Sequence, residues 1–378
     1  MRGRFSFLEF FAGGGMARLG LGENWRCLAA NDIDSQKCAA YRANFGGADL
    51  IEGDIADLDP ERLPKERADL MWGSFPCQEL SLAGARGGMK AKRSGAFFAF
   101  WRIAEALAAA GRAPRLIVIE NVVGLLTSNG GRDFRTIAEL MTKSGYCVSA
   151  SVLDAKHFTP QSRPRLFITA FAPGIAAPTS SLPPTDGTAP AALTDAVAAL
   201  PAKARARWAW LDCPPPPSRN TSLTEIIDWD APDWHRPEQT RALIDLMAPR
   251  QRARLDALLR HEARRVGAAF RRTRIENGEA VQRLEARFDG LAGCLRTPAG
   301  GSSRQIVFAV DKGAARTRLL SPREAALLMG LPDDYVLPES ATAALKLCGD
   351  GVCVPVVRWL SENVLEPALG AGRARNAA

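Results

Sequence analysis

A cysteine suited to covalent chemistry needs a fixed loop, access, and neighbours that favour its thiolate. Among Cys27, Cys38, Cys77, Cys147, Cys213, Cys294, Cys348 and Cys353, only Cys77 stands in such a sequence context. It lies in Gly73-Ser74-Phe75-Pro76-Cys77-Gln78, directly after the apolar run Leu70–Trp72. Pro76 stiffens the loop, and a strand's carboxyl end is where α/β sheets present ligand-contacting groups. The other seven cysteines read as ordinary buried or surface residues. A second reactive position follows the apolar run Leu116–Ile119, which ends in Glu120-Asn121-Val122. A thiol and a carboxyl at neighbouring strand ends can converge on one planar base. Gln161-Ser162-Arg163-Pro164-Arg165 then precedes the run Leu166–Phe171, and strand alternation would put Arg163 and Arg165 on one face.

A further constellation suits a nucleotide-like ligand. Phe10-Phe11-Ala12-Gly13-Gly14-Gly15 follows a strand-like segment and precedes a helix-like one, and its glycines permit a tight turn close to a ligand. Asp32 and Asp34 follow the next strand, where a carboxylate can accept hydrogen bonds from ribose hydroxyls. Asp54, in Gly53-Asp54-Ile55, can reach an adenine amino group or simply cap a turn. The turn is not GxGxxG, which argues against a nicotinamide site.

These groups need a scaffold that brings strand ends together. Strands are expected at Phe5–Phe10, Arg26–Asn31, Leu70–Trp72, Leu116–Ile119 and Leu166–Phe171. Helices are expected near Ala17–Gly22 and over Ser35–Phe45, Ala96–Ala110 and Phe134–Lys143. The alternation predicts a doubly wound α/β sheet. After Phe171 the pattern changes to Pro- and Ala-rich stretches such as Pro214–Pro217, and nine arginines lie between Arg250 and Arg274. This middle region reads as a separate, irregular module, with helices returning at Pro322–Met329 and Val354–Leu365.

Lys and Arg exceed Asp and Glu by 49 to 41, a net charge of +8 that fits a polyanionic partner. With no CxxC pair and 3 histidines, no metal site is expected. Dispersed cysteines without a disulfide pattern, no signal peptide and no membrane-length apolar run lead to an expected cytoplasmic location without a membrane.

Taken in order, these segments resemble the C5-cytosine DNA methyltransferase family. Phe10–Gly15 is similar to its cofactor loop, Pro76-Cys77 to its catalytic dipeptide, Glu120-Asn121-Val122 to its ENV motif and Gln161–Arg165 to its QxRxR motif. Arg318–Glu324 is similar to its RxLTPRE block and Gly349–Val356 to its closing GNSVxxPV block. Asp350-Gly351 stands where the family usually has Asn-Ser, and Ile33 where an aromatic residue is frequent.

The resemblance implies a Rossmann-like S-adenosylmethionine-dependent domain over 1–172 and 343–378, with a smaller, irregular target recognition domain and connecting segment over 173–342. It implies Cys77, Glu120, Arg163 and Arg165 as catalytic residues. Phe11, Ala12, Gly13, Gly15, Met16, Asp32, Ile33, Asp54, Ile55, Pro76, Asp350 and Gly351 would hold the cofactor. Gln78, Ser81, Arg304 and Gln305 would contact DNA. The expected reaction adds Cys77 to carbon 6 of a cytosine flipped out of duplex DNA, and the 80–95 segment is expected to close over that DNA. A monomer is expected, and the resemblance leaves room for a cognate restriction endonuclease in the same system without implying direct contact with it. The rival readings are a cytosine-5 methyltransferase acting on tRNA, an inactive DNA-binding regulator, and a nicotinamide dehydrogenase.

Overall fold

The computed structural model describes residues 3–76, 95–276, 278–297 and 304–370. They form two compact units, one of residues 1–154, 164–216 and 356–378, the other of residues 155–163 and 217–355.

The first unit is built on a seven-stranded sheet. In chain order its elements are β1 (Phe5–Phe10), α1 (Met16–Leu21), β2 (Trp25–Asp32), α2 (Ser35–Phe45), β3 (Leu50–Glu52), β4 (Leu70–Gly73), α3 (Ala96–Ala109), β5 (Leu116–Val122), α4 (Arg132–Lys143), β6 (Cys147–Asp154) and β7 (Pro164–Phe171). The strand order is β3-β2-β1-β4-β5-β7-β6. β7 runs antiparallel to both neighbours, and the other pairings are parallel. Parallel pairing brings the carboxyl ends of β1 to β5 to one edge. The reversed β7 brings its amino end there as well. Strand order changes direction between β1 and β4, which is where doubly wound sheets bind ligands.

β1, β4 and the first six residues of β5 are buried, as their apolar runs predict for the middle of such a sheet. α3 has apolar residues at helical spacing and buries Phe97, Phe100, Trp101, Ala104 and Leu107. Phe100 lies so close to β4 that a Cβ on Gly73 would come within 2.7 Å of its ring, so packing requires glycine there. The stretch after β7 stays with this unit: α5 (Ala191–Ala198) contributes Leu193 and Val197 to the core, joined by Leu200, Ala204 and Trp210. The chain's last helical segment also returns here, where Ser361 Oγ accepts a hydrogen bond from Trp25 Nε1 at 2.8 Å.

The second unit is regular, contrary to the irregular module expected from composition. Strands β10 (Arg265–Glu276), β11 (Glu279–Arg287), β12 (Ile306–Asp311) and β13 (Ala314–Leu319) form an antiparallel sheet of order β11-β10-β12-β13. (β8 and β9, Thr179–Ser180 and Trp210–Leu211, are a two-residue pair in the first unit.) α6 (Pro237–Asp245) and α7 (Pro249–Leu259) bury Leu243 and Leu255 against Leu284, Ile306, Phe308 and Val310. The arginines that obscured the strand pattern pair with carboxylates across strands, as Arg272 does with Glu285 at 2.8 Å. α8 (Pro322–Leu328) begins with a capping box between Ser321 and Glu324, and α9 (Ala341–Asp350) follows. Among the described residues no helix is long and apolar enough to cross a membrane.

Candidate active site

At the carboxyl edge of the first unit, β1 runs into a turn whose backbone is mostly left-handed. Phe11, Gly13 and Gly15 have φ of 59°, 56° and 77°. Gly15 has a second constraint, since a Cβ there would meet the Phe45 ring at 2.4 Å. The turn is pinned from β2. Ala12 N donates to Asn31 O at 3.0 Å, and Gly13 N donates to Asp32 Oδ2 at 2.7 Å. Asp34 N donates to Asp32 Oδ1 at 2.8 Å. Asn31 Nδ2 in turn donates to the carbonyls of Ile51 and Gly53, tying in the end of β3. Asp34 caps α2 by accepting from Gln36 N and Lys37 N.

This edge fits S-adenosylmethionine on the chemistry of its groups. Each Asp32 oxygen takes one backbone amide and has a further lone pair able to accept from a hydroxyl. Beside it Ile33 is 66 % exposed, an apolar surface of the kind an aromatic base covers. Asp54 is exposed and uses Oδ1 on Ala56 N at 2.8 Å, which is the turn-capping arrangement, and Ile55 beside it is buried. Met16 and Ala12 are buried.

The adjoining strand ends hold the candidate reactive groups. Asn121 Nδ2 donates to Phe75 O at 2.9 Å, and its Oδ1 accepts from Val122 N at 2.9 Å. This buried amide therefore fixes the backbone two residues before Cys77. The Phe75 ring packs between Phe11 and Phe97, at centroid distances of 6.1 and 5.6 Å. Pro76 is exposed. Cys77, Gln78 and Ser81, with most of the 80–95 segment, lie outside the described residues. Glu120 is buried and its Oε1 lies 3.3 Å from Arg165 Nε. Antiparallel register explains the pairing, because Arg165 sits opposite Val122 at the end of β5.

Arg163 has other partners. It precedes β7, so strand alternation does not govern it, and it belongs to the second unit. Its guanidinium donates to the carbonyls of Leu295 at 3.1 Å, Gly349 at 2.9 Å and Gly351 at 2.7 Å, and the residue is 2 % exposed. It thus clamps two chain segments together within that unit. Gln161 acts in parallel, donating to Leu328 O and accepting from Leu295 N. Asp350 accepts a hydrogen bond from the Thr297 hydroxyl, so the carboxylate that replaces the usual asparagine has a partner in its own unit. Gln305 is buried with its amide bonded both ways to Gly293. Arg304 has a buried Nε without a hydrogen bond. The Gly300–Ser303 part of its loop lies outside the described residues.

Sequence reasoning assigned no task to Asn121, although its motif was quoted, and it missed Glu9. The signal for Glu9 was an acid inside the apolar run of β1. Its side chain is 1 % exposed, with Oε2 making no hydrogen bond. Burial pushes its carboxyl up to about 8, against the pull of Arg18 and with further upward pushes from Asp32 and Asp49. Arg18 is itself bonded to Asp49 at 2.6 Å and to Tyr41 at 2.7 Å.

The profile of the family described as C-5 cytosine-specific DNA methylase matches residues 5–366. The type II methyltransferase M.HpaII of Haemophilus parainfluenzae is 27 % identical over 97 % of this chain and 90 % of its own length. The type II methyltransferase M1.ScrFI of Lactococcus lactis subsp. cremoris is 26 % identical over 96 % of this chain and 78 % of its own. In fold, the chain is similar to the crystal structure of the S. pombe Dnmt2 methyltransferase, with a TM-score of 0.58, 16 % identity, and coverage of 97 % of this chain and 99 % of that one. The chain belongs to the C-5 cytosine-specific DNA methylases, a family whose methyl donor is S-adenosylmethionine.

Proposed function

We propose that this chain methylates carbon 5 of a flipped-out cytosine within a specific duplex DNA sequence, through a covalent Cys77 adduct, as a type II modification enzyme. The observation that carries the reading is the joining of two motifs at one sheet edge. Asn121 grips Phe75 just before Cys77, while neighbouring Glu120 faces Arg165.

Carbon 5 of cytosine is a weak nucleophile. Addition of the Cys77 thiolate to carbon 6 breaks the ring's 5,6 double bond and makes carbon 5 enamine-like. Glu120 hydrogen-bonds the N3/N4 edge and stabilises the charge that develops there. Arg165 orients Glu120 and holds O2. When bound, S-adenosylmethionine supplies an electrophilic methyl group on a sulfonium sulfur. Asp32 holds its ribose hydroxyls, the face of Ile33 covers its adenine, and Asp54 accepts from the adenine amino group. After methylation a base takes the proton from carbon 5, the electron pair restores the double bond, and Cys77 leaves as the thiolate. Arg163 fixes the backbone of 295 and 349–351 within its own unit. Target recognition falls to the 173–342 region.

The test uses the full chain with duplex DNA containing 5-fluorocytosine, in which the missing carbon-5 proton blocks elimination. A covalent adduct is expected with the parent and none with Cys77→Ser. An equal adduct with Cys77→Ser overturns the nucleophile assignment, and faster methyl transfer to tRNA than to duplex DNA overturns the substrate.

A further inference from the structure

The β10–β11 hairpin extends beyond its sheet. β10 pairs with β12 only over Arg265–Ala269, whereas its pairing with β11 continues to Glu276 opposite Glu279. At its base the hairpin is still held, since Leu284, the partner of Arg271, is buried and donates its backbone N–H to Leu246 O, so Arg272–Glu276 with Glu279–Arg283 project as a two-stranded ribbon, about 17 Å long at the usual rise per residue.

The ribbon's two faces differ in charge. Antiparallel register puts Arg272, Arg274 and Glu276 on one face with Glu279, Val281, Arg283 and Glu285. That face is internally neutralised: Arg272 and Arg274 both pair with Glu285, and Arg283 pairs with Glu276. Beyond buried Leu284, which lies opposite Arg271, the other face carries Arg271, Thr273 and Ile275 beside Ala280 and Gln282. All five are exposed, and no carboxylate is among them. Among the described residues no ion pair involves Arg271. Ile275 is 72 % exposed near the end of β10.

We propose that this carboxylate-free face of the β10–β11 ribbon enters the major groove of duplex DNA and reads base edges. The inference rests on the reading of the chain as a sequence-specific DNA enzyme and names the surface that supplies the specificity. A major groove admits a two-stranded ribbon, and the face carries what direct readout uses. Arg271 donates in a fork, Gln282 both donates and accepts, Thr273 adds a hydroxyl, and Ile275 offers apolar contact to a thymine methyl. The opposite face, whose three arginines are offset by three glutamates, offers phosphates no net attraction.

The experiment maps methylated sites in DNA from cells expressing the full chain, and measures binding of purified protein to a duplex bearing that site. Ile275→Ser, Gln282→Ala and Arg271→Ala are compared with Val281→Ser on the opposite face. Ile275→Ser is expected to lower the preference for the cognate site over a singly substituted one about tenfold, at one base position. Arg271→Ala is expected to weaken duplex binding about tenfold. Val281→Ser should match the parent. Ile275→Thr, which keeps the β-branched shape, guards against a folding effect and should retain most of the preference. Ribbon variants with the parent's site profile and affinity overturn the ribbon while leaving the enzyme assignment intact. A parent that transfers no methyl to duplex cytosine overturns the underlying reading and the ribbon with it.

Discussion

Removing the Asn121 amide isolates the contribution of the motif that holds the Cys77 loop. In Asn121→Ala, Phe75 O loses its 2.9 Å donor in a site where Phe75 is 3 % and Asn121 4 % exposed. Leaving a buried carbonyl unsatisfied costs about 1–3 kcal/mol. If that cost fell only on stability, Tm would drop by about 2–4 °C for each kcal/mol in a unit of this size. The loop can also relax so that Phe75 O reaches water, which moves Pro76 and Cys77 from their working position. The cost then appears in the rate: about 2 kcal/mol of lost positioning lowers kcat roughly 30-fold. The expected result is a kcat about 10–100-fold lower, slower adduct formation with 5-fluorocytosine DNA, and nearly unchanged S-adenosylmethionine affinity. Differential scanning calorimetry and single-turnover methyl transfer separate the two outcomes. A lowered Tm with unchanged kcat and adduct rate would refute the positioning argument.

Asp32→Ala removes the acceptor of the Gly13 and Asp34 backbone amides together with the proposed diol contact; S-adenosylmethionine affinity by calorimetry should fall about tenfold or more, and an unchanged Kd counts against the role. Arg318 is fully buried with Glu324 as its ion-pair partner, so Arg318→Ala should destabilise the second unit by about 3–5 kcal/mol in urea unfolding. The double replacement Arg318→Met with Glu324→Gln, which keeps an acceptor for Ser321 N and Asp228 N, should recover part of the loss, and a double variant as weak as the single one contradicts this account. Glu9 has a native pKa raised from 4.5 to about 8, so the folded state holds a proton that the unfolded state has lost between those values. Its contribution to stability is thus complete below pH 4.5 and is lost as pH rises towards 8. Glu9→Gln should flatten the fall of unfolding free energy with pH in this window, and identical pH slopes for the two proteins would disprove the assignment.

Local sequence determined much of the catalytic scaffold. The apolar run Phe5–Phe10 and the segment Ser35–Phe45 became β1 and α2 with those bounds, because continuous burial and an Asp34 cap are decided within a few residues. The segments that resemble the family's motifs were legible for the same reason, since residue type and a strand-then-loop context lie side by side in the chain. Partnership was decided only in three dimensions. Arg163 and Arg165 are two residues apart, yet one clamps the carbonyls of Leu295, Gly349 and Gly351 while the other faces Glu120. That separation follows from where β7 begins and from its antiparallel register, neither of which a short window contains. The four-stranded sheet of the second unit was hidden because its arginines look like loop residues until cross-strand glutamates neutralise them. Glu9 reads as an exception in an apolar strand, and only its burial in the folded sheet, with Arg18, Asp32 and Asp49 around it, sets its charge state. Hydrophobic pattern is a local property, whereas desolvation and charge pairing depend on neighbours far away in sequence, so only the tertiary structure could settle them.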